Sequence, residues 1–199
     1  GRIESDLEQG PMTDQLSPFN QHQFDRCMRW FAARHGELTQ YQLVKLHVMT
    51  DVFHVLETGL PVIGGRFRRW KLGPVVPNGW HRTRQYVQQF EAGSRPPALS
   101  VRPTDGSAYR YSVPEDAETE EQEFSPSEVR AMERAWAEVG ELSWEESHRY
   151  FHTPESFMGK AWLEAPQNGP IPWELIVDCY DAATGEDHGH VKALMALGV

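Results

Sequence analysis

Arg66-Phe67-Arg68-Arg69-Trp70-Lys71-Leu72-Gly73-Pro74-Val75-Val76-Pro77 decides how this chain is read. Its first six residues hold four cations and two aromatics, in a protein of formal net charge −10. A Gly-Pro-Val-Val-Pro corner follows at once. Glycine permits a turn that other residues resist, and each proline fixes its own φ and pushes the preceding residue towards extended backbone. The pattern predicts a short strand that stops sharply and hands over to a helix from about Val76 to Phe90. Strand alternation would send Phe67 and Arg69 to one face, and Arg68 and Trp70 to the other. Such a cluster suits ion pairs with the chain's own acids or a protein-partner surface. Stacking on nucleic acid is the third role, and an acidic chain disfavours it.

Helical patterns lie on both sides. Phe24, Cys27, Met28 and Phe31 recur at three- and four-residue spacing up to His35-Gly36. Thr39 is a good N-cap for a second helix, which is apolar over more than one stripe and therefore central; Thr58-Gly59 stops it. Beyond the Arg66 segment, Ala98 to Arg102 and Ala108 to Val113 read as hairpin strands around Asp105-Gly106. Residues 114–124 form an acidic loop. Ser125-Pro126-Ser127-Glu128 and Ser143-Trp144-Glu145-Glu146 each open a helix with a hydroxyl cap and early acids. A brief helical turn follows Thr153-Pro154, and a helix runs from Trp173 to about Ala183. The expected fold is mainly α (α+β): one domain over 12–185 with about six helices and a small antiparallel β element. A tail over 186–199 has room for one more helix.

Residues 1–11 read as a vector-derived tag, with Met12 the expected native start; without them the formal charge is −8. No run approaches a membrane span, and nothing after Met12 resembles a signal peptide. Cys27 and Cys179 lie far apart in apolar patterns, which suits free buried thiols in a reducing cytoplasm.

A search for catalytic chemistry returns little. Walker loop, dinucleotide fingerprint, nucleophile elbow and zinc-protease motif are all missing. Nine histidines invite a metal, yet no spacing compels one, and no cofactor is expected. His188 and His190 read as surface residues of the tail, and His152-Thr153 as a helix-ending cap. His47, Asp51 and His54 share one helix face at four- and three-residue spacing. That face would serve as a polar seam against a neighbouring helix, or as the acid–base or metal centre of an enzyme. An enzyme needs these groups to converge in an accessible cleft.

The ordered set of motifs resembles the Panacea domain, also called the SocA-like antitoxin domain. The residues that carry the likeness are Leu43, Lys45 and Leu46; Gly59 and Pro61; Trp70, Gly73, Pro74, Val75 and Pro77; then His152 and Trp162. The likeness spans about Phe19 to Ala183. His47 stands where the family often has tyrosine, Arg69 where it usually has alanine, and the family's Pro-Trp after the Thr-His stretch is missing.

The resemblance implies a cytoplasmic, non-enzymatic antitoxin of a bacterial or phage toxin–antitoxin pair that neutralises its toxin by direct binding. One branch of the family also delivers toxin to a AAA+ protease. The chain's acidity would suit a basic toxin. With the same fold, a phage or mobile-element protein binding a host factor is the alternative. Most of Trp30, Trp136 and Trp173 are expected in the core. The expected partner surface comprises Arg66, Arg68, Lys71, Val76, Asn78 and Trp80, with Arg82 and Arg84 of the following helix.

Overall fold

Helix α2, Gln40–Thr58, organises the molecule. Thr39 and Gln42 close a reciprocal capping box: the Gln42 amide donates to Thr39 Oγ1 at 3.0 Å and the Thr39 amide to Gln42 Oε1 at 2.9 Å. Gly59, in left-handed backbone at φ 82°, ends the helix. Every residue from Leu43 to Leu56 is buried, because the apolar side chains cover the whole circumference.

The computed structural model describes residues 15–95, 98–115, 117 and 123–197. Residues 1–14, which include the expected tag, Pro96-Pro97, most of the acidic 114–124 loop and residues 198–199 fall outside them. Before α2 come α1 (Gln21–His35) and the two-residue strand β1 (Leu38–Thr39); after it come β2 (Arg68–Trp70), β3 (Gly73–Val75) and α3 (Pro77–Glu91). The hairpin β4 (Ser100–Pro103) and β5 (Tyr109–Ser112) follows, then α4 (Pro126–Ala135) with a π-helical turn over Trp136–Gly140. The chain continues through α5 (Trp144–His152), α6 (Phe157–Glu164), α7 (Trp173–Thr184) and α8 (Gly189–Ala196). The described residues thus hold eight α-helices rather than about six: the turn after Pro154 is the full helix α6, and the tail supplies α8.

Two small antiparallel sheets accompany the helices. In one, β5 lies between β1 and β4, with Leu38 and Val101 both opposite Tyr111. The other is the β2–β3 hairpin, where Arg68 faces Val75, Arg69 faces Pro74 and Trp70 faces Gly73. The Gly-Pro-Val corner is therefore not simply a stop after one strand. It is the returning strand of a hairpin, possible because β3 sits at the edge of a two-stranded sheet, where proline's missing N–H costs no central ladder bond.

One apolar core joins all eight helices and the three-stranded sheet, with Phe67 and Val76 entering it on either side of the β2–β3 hairpin. Trp173 is buried as expected, whereas Trp30 and Trp136 are half-buried at its margin, the Trp136 ring stacked on His35 at 3.6 Å. Cys27 and Cys179 are free, buried thiols, and burial raises both above the ordinary thiol range, Cys179 to about 11.

Candidate functional site: a clamped β-hairpin

The β2–β3 hairpin is short, yet side chains from three separate helices hold it. Lys45 of α2 donates from Nζ to the Pro74 carbonyl at 2.7 Å. His152, the last residue of α5, sets Nε2 against the Lys71 carbonyl at 2.7 Å. Trp162 of α6 donates from Nε1 to the Trp70 carbonyl at 2.8 Å. Three carbonyls within five residues are thereby fixed. Gly73 makes the close approach possible: it sits at φ 96°, and a Cβ there would lie 2.9 Å from Lys45 Nζ.

The other edge of β2 is also paired. The Arg69 amide donates to Gly169 O at 2.9 Å, the Asn168 amide to Arg69 O at 3.1 Å, and the Ile171 amide to Phe67 O at 2.9 Å. The Arg69 guanidinium lies over the Trp162 ring at 4.3 Å and donates to the carbonyls of Leu163 (2.9 Å) and Ala165 (2.7 Å), satisfying the end of α6. Phe67 is fully buried against Trp173. Of the three roles open to this cluster, Arg69 has a structural one, but its partners are carbonyls and a ring rather than acids.

Electrostatics at the clamp follow from burial. Lys45 is 1% exposed, and desolvation holds its ammonium well below the ordinary lysine range. Rings of Tyr41 and Phe151 face it at 5.1 and 4.8 Å. Burial also lowers His152, opposed by its bonds to the carbonyls of Lys71 and His148. The His148 ring stacks on it at 4.0 Å.

What the clamp presents is a basic-aromatic surface. Lys71 and Leu72 form the exposed tip, with Leu72 43% exposed. Trp70 packs edge-on against Trp80 of α3 at 5.8 Å, and both are half-buried. Arg66, Arg68, Asn78 and Arg84 are likewise half-buried. Between the tip and α6 lies a cavity of about 230 Å³ lined by Arg69, Trp70, Lys71, Trp162, Gln167 and Asn168.

Two residues expected on this surface lie inside instead. Val76 is fully buried, because the turn into α3 points it at the core. Arg82 is 5% exposed and forms a fork with Asp25 of α1, Nε to Oδ1 at 2.9 Å and Nη2 to Oδ2 at 2.8 Å.

The His47–Asp51–His54 face is buried as well. Asp51 accepts backbone N–H bonds from Val62 and Ile63, each 2.8 Å, and from Gly64 at 2.9 Å. His47 Nε2 meets the Gly64 carbonyl at 3.0 Å, while His54 reaches the Leu60 carbonyl and Ser127 Oγ. These groups pin the loop leaving α2 to its own helix, and they do not open on the accessible cleft that an enzyme would need. His188 is half-buried against Asp181, and among the described residues no group of His, Cys, Asp and Glu could hold a metal.

Residues 43–157 match the family described as antitoxin SocA-like, Panacea domain. The chain belongs to that family. The match covers more than half of the chain, including most of α2, the clamped hairpin and α5. No curated protein and no solved structure matches it. Lys45 and His152 lie within the matched residues and Trp162 lies just beyond them, and each bonds a hairpin carbonyl, a role that spacing alone did not reveal. Asp51, which spacing placed with His47 and His54 on one polar or acid–base face, instead ties down the loop leaving α2. No helix among the described residues is long and apolar enough to cross a membrane.

Proposed function

We propose that this protein is an antitoxin that neutralises a cognate toxin by direct binding, with the hairpin tip and the first turns of α3 as the contact surface. Membership of the SocA-like antitoxin family carries the reading. The clamp supports the choice of surface. An interface held rigid before contact loses less entropy on binding, so Trp70, Lys71, Leu72 and Trp80 suit an anchor cluster. Buried free thiols agree with a reducing cytoplasm.

Charge refines the partner. Leu60 to Arg110 holds nine Lys/Arg against two Asp/Glu, whereas Glu123 to Val199 holds fourteen Asp/Glu against five Lys/Arg. A toxin that is basic overall would be drawn towards the acidic C-terminal helices, while the face it sets on the hairpin would be acidic.

Co-expression with the product of the adjacent open reading frame tests the function: growth rescue and co-purification are expected. Leu72→Asp and Lys71→Glu, both at the exposed tip, should weaken the complex about 30-fold or more, the effect of losing a hot spot of about 2 kcal/mol. Thermal stability should not change. Rescue without loss in either variant moves the interface elsewhere; failure of the unaltered chain both to rescue and to bind ends the antitoxin reading for that pair.

A further inference from the structure

A second cavity, of about 360 Å³, lies where the N-terminal ends of α2 and α5 meet, and no residue of the β2–β3 hairpin lines it. Its charged lining is all cationic. Lys45 and Arg110 are present and no Asp or Glu lines it, in a chain with 29 acidic residues against 19 basic ones. The Lys45 ammonium makes one hydrogen bond, to the hairpin, and has no ion pair among the described residues. The half-buried Arg110 guanidinium has neither hydrogen bond nor ion pair among them. Glu37, whose carboxylate feels the Arg110 charge, is bonded to Arg102 at 2.6 Å instead.

Hydroxyls and helix ends add to the positive field. Thr39 and Ser143 cap α2 and α5 by accepting from the amides of Gln42 and Glu146 at 3.0 and 3.1 Å, and both hydroxyls line the cavity. Each hydroxyl acts as acceptor in its cap, so its own proton is not used there. Each helix start also carries partial positive charge. Glu145 and Glu146 lie in the first turn of α5, but Glu146 folds back onto the Ser143 amide at 3.2 Å and neither lines the space. Tyr41 brings a buried hydroxyl, beside that of Ser147. Trp144 lines the cavity while 59% exposed, so it forms the rim, set edge-on to the Tyr41 ring at 4.8 Å.

We infer that this cavity binds a small organic anion that carries a planar ring, its carboxylate or phosphate held by Arg110 and the capping hydroxyls and its ring against Trp144. The volume lies within the range of small-molecule sites. An anion beside Lys45 would also offset the desolvation that depresses its ammonium. Because Lys45 reaches from this cavity's wall to the Pro74 carbonyl, the bound anion shares a side chain with the hairpin clamp.

The free full-length chain tests this without any toxin, so the result stands apart from the antitoxin reading. Calorimetry and tryptophan fluorescence would follow titrations with AMP, benzoate and, as the neutral control, adenosine. Saturable binding of AMP or benzoate is expected, the stronger of the two showing whether phosphate or carboxylate is preferred, with adenosine far weaker. Arg110→Gln should weaken binding about tenfold or more, the loss of a charge-assisted hydrogen bond. Trp144→Ala, on the exposed rim, should reduce both affinity and fluorescence response with the fold intact. Adenosine binding as well as AMP, no saturable binding of either anion at millimolar concentration, or binding indifferent to both substitutions would overturn the proposal.

Discussion

A carboxylate with no exposed surface ordinarily needs a cation beside it. Asp51 manages with three backbone N–H donors from Val62, Ile63 and Gly64 and the ring of His47, whose Nε2 lies 3.5 Å away. Its position on α2 suggested chemistry; its bonds show architecture. Asp51→Ala would leave three buried donors unsatisfied and should cost about 3 kcal/mol or more in chemical denaturation. Asp51→Asn, which retains one acceptor oxygen, should cost less. Equal stability of all three proteins would refute the role. Arg82 teaches the same lesson in reverse: a cation in a surface-like run of sequence turned inward because Asp25 of α1 meets it with matching fork geometry. No local pattern around Arg82 announces that partner, since it lies 57 residues away.

At the scale of elements, capping chemistry made most helices legible. Thr39, Ser125 and Ser143 each close a capping box, and Gly59 ends α2 where glycine was expected to. The β4–β5 hairpin likewise formed around Asp105-Gly106. β3 was not legible, because Gly73-Pro74 looks like an end rather than a strand. Its stability comes from outside: from Lys45, His152 and Trp162. Trp162→Phe keeps a ring beneath Arg69 but removes the indole donor to the Trp70 carbonyl. It should cost about 1 kcal/mol and speed amide exchange at Arg69 about fivefold, with helical content preserved. Unchanged exchange there would mean that the clamp does not hold the hairpin.

The whole molecule rests on α2, whose entire middle is enclosed by α1, α3, α4, α8 and both sheets. A helix buried on all sides cannot lose one neighbour without exposing apolar surface to water. The hairpin, bonded to α2, α5 and α6, is part of the same unit. Unfolding in urea should therefore be one transition, with tryptophan fluorescence from Trp70, Trp80 and Trp162 coinciding with far-ultraviolet helical signal. An earlier fluorescence transition would show the hairpin to be a separate, weaker unit.

By itself the sequence determined the helical class, the positions of the main helices, the antiparallel element and the family. Each of these is written in short-range features: apolar period, hydroxyl caps, glycine stops, a run of motifs in order. Tertiary structure alone decided what individual side chains do. It turned Arg82 and Val76 inward, gave Asp51 to a loop, set Arg69 on α6, and brought three distant helices onto one hairpin. The physical reason is that a buried polar group is placed by its partner's position in space, and that partner lies from 11 residues away for Asp51 to 96 for Arg69 along the chain.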